Sequence, residues 1–173
     1  MNARSEFVCL LVAVVIVMVA SGCDRNNCTG SDSTGPIGRL VHSTGCKSWE
    51  LEAATGSVTS DQDCIKWQMA DRSRLRFTHV NAGFNCCPEF DAATYVSGDT
   101  IFVVEHEIVG LCDCNCLFDL DYEIRDLEPG IYRVIVTEEY LSEEDEPLDF
   151  IMDLLTTPSG SHCVGRDHYP WGL

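Results

Sequence analysis

The chain has 173 residues, 11 of them cysteine, and a formal net charge of -17 from 28 acidic and 11 basic side chains. This length supports one domain of ordinary size, whose core does not need covalent staples merely to fold. The charge argues against nucleic acid as a partner, because no row of cations could neutralise successive phosphates, and against electrostatic adsorption to an anionic membrane.

Residues 7–20, from Phe7 to Ala20, form an uninterrupted apolar run. It is short for a membrane span and fits the apolar centre of a secretory signal peptide. The following Ala20-Ser21-Gly22-Cys23 resembles the bacterial lipobox, in which small residues precede a cysteine that is lipidated. The resemblance implies a signal peptide over 1–22, lipidation at Cys23, and a bacterial cell-envelope location with the body outside the cytoplasm. The lipid bilayer is then a partner through the N-terminal acyl chains, each buried methylene contributing about 0.8 kcal/mol. Residues 23–38 are small, polar and glycine-rich and read as a flexible tether, leaving 39–173 as the body. Asn27-Cys28-Thr29 matches a glycosylation sequon and reads as chance in such a chain.

The body reads as all-β. Segments 48–53 and 64–69 are strand candidates, and Leu75-Arg76-Phe77-Thr78-His79 alternates apolar and polar. Ala93–Val96, Ser97-Gly98-Asp99 and Thr100–Glu107 form a hairpin signal, with β-branched and aromatic residues on both arms. From Cys112 to Ile124 every even position is cysteine or a large apolar residue, which predicts one long strand, or two short strands joined in register, with one wet and one buried face. Asp126–Gly130 then predicts a turn into Ile131–Thr137 as a second hairpin. Glu143–Pro147 reads as an exposed acidic loop, and Leu148–Leu155 as a strand with Leu148, Phe150, Met152 and Leu154 inward. Short strands with frequent turns predict a single antiparallel β-sandwich, immunoglobulin-like in general architecture and stabilised by disulfides, with a barrel as the alternative.

Cys9 lies in the leader and Cys23 takes the lipid, so nine cysteines remain, an odd number. Leaving Cys28 in the tether unpaired gives eight disulfide candidates: Cys46, Cys64, Cys86, Cys87, Cys112, Cys114, Cys116 and Cys163. Sulfurs on one face of a regular strand are too far apart to bridge one another, so Cys112, Cys114 and Cys116 must find partners elsewhere. Cys86 and Cys87 are expected to supply two, and Cys64 or Cys163 the third. The alternative is a zinc or copper site built from Cys86, Cys87, Cys112, Cys114 and Cys116, with His79, His106, His162 or His168 as further ligands. His79 and His106 both fall on apolar parity and are expected to be partly buried and hydrogen-bonded.

The sequence contains none of the common nucleophile, zinc-hydrolase, P-loop or dinucleotide motifs, so neither an enzyme nor a cofactor is expected. The pairs Asp119/Asp121 and Glu105/Glu107 read as solvated faces, and calcium binding to 143–146 has no loop motif behind it. Asn81–Pro88, Cys112–Tyr122 and the ending Cys163–Trp171 are similar to a group of cysteine-rich bacterial exported lipoproteins. That resemblance covers roughly residues 64 to 171 and implies location and fold, with no functional residue to transfer. His168–Trp171 reads as an aromatic cap or a surface patch. The expected function is a membrane-anchored, non-enzymatic binding or envelope-interaction module with an unknown protein or small-molecule partner. The alternative is a metal-binding lipoprotein.

Overall fold

The structure, a computed structural model, describes residues 36–47, 58–109 and 112–167. Cys9, Cys23, Cys28, the 48–53 candidate and the His168–Trp171 ending lie outside the described residues. Nine strands are present: β1 (Ile37–Ser43), β2 (Gln62–Asp71), β3 (Arg74–Asn85), β4 (Glu89–Ser97), β5 (Thr100–Val109), β6 (Asn115–Arg125), β7 (Ile131–Thr137), β8 (Asp149–Asp153) and β9 (Ser159–Gly165). The described residues include no helix. Strand β1 begins at Ile37, two residues inside the expected tether.

All nine strands belong to one sheet, ordered β8-β7-β5-β4-β1-β6-β3-β2-β9. The two packed sheets of a sandwich are therefore replaced by one, nearly barrel-shaped. The edge strands β8 and β9 come together through side chains, Phe150 stacking on His162 at 4.4 Å and on Trp67 at 5.7 Å. The sheet is not wholly antiparallel either, since β5 and β7 pair in parallel from Thr100↔Arg133 to Val104↔Thr137.

The longest strands, β3 and β6, pair from Arg74↔Arg125 to Asn85↔Asn115. Leu75, Phe77 and His79 on β3 and Leu120, Tyr122 and Ile124 on β6 line the inside. Phe77 stacks on Tyr122 at 4.9 Å. A bulge between Val80 and Ala82 places Asn81 at φ 71°, a region asparagine tolerates, and passes inward parity from odd positions to Ala82 and Phe84. Buried Asn81 is tied down by its amide, which donates to the Thr59 and Gln62 carbonyls, and by Lys47, which donates to its Oδ1.

The β4–β5 hairpin forms as predicted, turning at Gly98 with φ 62°. The second predicted hairpin does not form. After β6 the chain crosses over, Asp126 taking φ 58° and Leu127 becoming buried, and β7 pairs with β5 and β8. Pro129 and Gly130 mark a bend without choosing the partner of the strand that follows. Strand β8 matches the expected inward set, with Leu148, Phe150, Met152 and Leu154 all buried.

Candidate functional site

Four disulfides join the eight candidate cysteines: Cys46–Cys116, Cys64–Cys163, Cys86–Cys114 and Cys87–Cys112. Cys86 and Cys87 partner two of the trio, as expected. The third partner is Cys46, while Cys64 and Cys163 bond each other across β2 and β9, where they are direct register partners. The trio does not share one regular strand. Strand β6 begins only at Asn115, so Cys112 and Cys114 lie exposed ahead of it and Cys116 alone is buried in it. Asn85 organises that entry segment: its Nδ2 donates to the Cys112 carbonyl, and its Oδ1 accepts from the Cys112 and Cys87 amides.

The five-cysteine metal set is not brought together as a ligand sphere. Cys87 and Cys112 form their own bridge, and the sulfurs that do converge are those of Cys46, Cys86 and Cys116, within 4.8 Å of one another. Of the imidazoles offered as further ligands, His162 stacks on Phe150, and His106 is half exposed and hydrogen-bonded to Glu139 at 2.7 Å. The expectation of a partly buried His106 is thus corrected, because its side chain faces out of β5.

His79 is fully buried, at the centre of an ionic cluster that the sequence did not disclose. Its Nδ1 lies 2.9 Å from Glu105 Oε2, and its Nε2 lies 2.6 Å from Asp63 Oδ1. Glu105 also accepts from the Tyr122 hydroxyl at 2.6 Å. On the other side, Arg166 Nη2 reaches Asp63 Oδ2 at 2.5 Å and Glu138 Oε2 at 3.2 Å, and its Nη1 donates to the Glu146 carbonyl. Burial alone would push the imidazole down, but Glu105 and Asp63 override it and hold His79 well above its ordinary value. Burial and the neighbouring Asp63 push Glu138 well up. Burial would also raise Asp63, but His79 and Arg166 hold it below the usual range. Asp63, His79 and Glu138 have the donor types of a metal site, but the Arg166 guanidinium already sits on both carboxylates. Glu105, expected on a wet face, is only 1% exposed. Both parities of 100–107 carry apolar residues, so alternation could not say which side its carboxylate takes.

The hollow lined by Ile65, Leu75, Phe77, Ile101, Val134 and Met152 is about 10 Å³, space for one water at most. A larger cleft of about 590 Å³ lies on the outer surface, over β1, β6, β3 and β2. Register lays out its side chains in rows. Arg39, Glu123, Arg76 and Gln68 are successive cross-strand partners, and Asp121, Thr78 and Lys66 form the next row. Thr78 donates to Asp121 at 2.6 Å. Glu123, nearly buried, has four arginines around it: Arg125 at 2.8 Å, Arg76 at 3.5 Å, Arg39 at 3.6 Å and Arg74 at 4.0 Å.

No protein-family model, curated protein or solved structure matches this chain.

Proposed function

We propose that the protein is a lipid-anchored, non-enzymatic binding module of the bacterial cell envelope, using the outer cleft as its contact surface. The observation that carries this is the contrast between an inner hollow of about 10 Å³ and an outer cleft of about 590 Å³. Ligand sites typically occupy about 300–1,000 Å³, a range that the outer cleft reaches and the inner hollow does not. The Ala20–Cys23 motif supports the anchor, and four disulfides are compatible with an extracytoplasmic compartment.

Two measurements on the full chain in a lipoprotein-processing bacterium test this. Cys23→Ala should move the protein from the membrane pellet to the soluble fraction, and retention in the pellet counts against the anchor. A photo-crosslinking residue at Gln68, in the cleft, should give an adduct that the same residue at exposed Ser97 does not. Equal labelling at both positions, or none at Gln68, removes the cleft as the contact surface.

A metal-binding reading has one observation in its favour, the convergence of the Cys46, Cys86 and Cys116 sulfurs. Counting thiols after denaturation without reductant separates the two. About one free thiol supports the bridged module, and several, with stoichiometric zinc or copper, support the metal site.

A further inference from the structure

The cations of this chain are unevenly placed. It has 11 in total and a net charge of -17, yet Arg39, Lys66, Arg74, Arg76 and Arg125 gather on one outer patch of β1, β2, β3 and β6, in and beside the cleft. Among the described residues, Asp71, Asp121 and Glu123 oppose them there, leaving a local surplus of positive charge on an acidic protein.

The way the arginines are held matters more than their number. Arg74 and Arg125 are direct cross-strand partners, a like-charge pairing that disfavours the sheet. Arg39 and Arg76 flank Glu123 from opposite sides in register. One carboxylate cannot satisfy four guanidiniums, each carrying five N–H donors. Arg74 Nε is shielded from solvent and makes no hydrogen bond. Arg39, Arg76 and Arg125 are more than half exposed. Glu123 thus draws the forks towards one point while hydrogen-bonding Arg125, and Arg39 and Arg76 keep donors facing solvent for bidentate capture of phosphate or carboxylate oxygens.

We propose that this cleft binds a small multivalent oxyanion, gripped by Arg39, Arg76 and Arg125 with Arg74 and Lys66 in support. This rests on the cleft being the contact surface. Screening selects for a small ligand: at physiological ionic strength, charge is felt over about 8 Å, so a short anion in the cleft senses mainly the arginines. A long polyanion or an anionic bilayer extends past the patch and meets the acidic remainder.

The test is calorimetric titration of the full chain in neutral detergent micelles with pyrophosphate and, separately, with citrate. Saturable binding of either is expected, weakening as salt rises from about 50 to 200 mM. Pyrophosphate alone identifies a phosphoryl ligand, citrate alone a polycarboxylate. The double variant Arg39→Ala/Arg76→Ala should bind about tenfold more weakly or worse, with an unchanged melting midpoint. Arg39→Lys/Arg76→Lys, which keeps charge but loses the forks, should fall between it and the parent. Arg133→Ala, an exposed arginine paired to Asp149 elsewhere, should bind like the parent. An equal loss in Arg133→Ala, or no binding of either anion, overturns the proposal. If adducts at Gln68 persist while neither anion competes with them, the cleft is a contact surface for another ligand class. If no Gln68 adduct forms, the failure lies with the cleft itself.

Discussion

Replacing His79 with glutamine removes the cation between Glu105 and Asp63, leaving Glu105 buried beside the Tyr122 hydroxyl without a counter-charge, while Asp63 keeps Arg166. Both imidazole nitrogens sit within 3 Å of a carboxylate oxygen, and all the side chains involved are essentially inaccessible. Breaking a buried charge network by removing one partner costs about 3–5 kcal/mol. A domain has about 5–15 kcal/mol in total, so the variant should fold but with a large fraction of its stability lost. With a urea slope of about 2 kcal/mol/M, the unfolding midpoint should fall by about 2 M, read by far-ultraviolet circular dichroism with disulfides intact. Adding Glu105→Gln should recover part of the loss, because the carboxylate left without its counter-charge is then neutral. A His79→Gln penalty under about 1 kcal/mol, or a double variant weaker than the sum of the singles, would refute a cluster held together by the His79 charge.

The cluster also sets the direction of pH dependence. His79 is held above its ordinary value of 6.5, so its contribution is complete below that value and fades as pH rises through its folded-state value. Glu138, raised from 4.5, loses stability in the same direction, whereas Asp63, lowered from 3.8, loses it as pH falls. The melting temperature should therefore peak in mildly acidic solution and decline towards pH 9; a rise over that range would contradict the assignment. Cys64→Ala/Cys163→Ala removes a bridge spanning 99 residues and should cost about 2–5 kcal/mol in guanidinium unfolding. Gly38→Ala places a Cβ 2.5 Å from that of Thr94, wedging β1 from β4, and should lower stability by about 1–3 kcal/mol in the same assay.

Much of the barrel was legible because its strands obey simple parity. The even positions of β6, the Gly98 turn and the inward set of β8 follow from alternation and turn chemistry alone. What alternation misses is which strands meet. Ile131–Thr137 reads as a strand either way, but its parallel pairing with β5 depends on a crossover that no local residue encodes. Strand β9 (Ser159–Gly165), rich in glycine and serine, gave no apolar signal because one buried valine and a disulfide anchor it. The ionic cluster stayed hidden for a related reason: Asp63, Glu138 and Arg166 come from three distant segments, and each alone looks like an ordinary surface charge. The arginine platform was concealed by the overall charge, since a sum of -17 says nothing about where the few cations gather.

The pairing of β2 with β9 ties an early strand to the last one described. While a growing chain is still short of residue 159, β2 has β3 on one flank and bare amides and carbonyls on the other, and the Cys64 thiol has no mate. Arg166, which neutralises Asp63 beneath that seam, arrives later still. The molecule therefore cannot be assembled piecemeal from its N-terminus. Arrival of residues 159–166 seals the edge, the bridge and the buried counter-ion together, and truncation before that point leaves an open strand exposed to neighbouring chains.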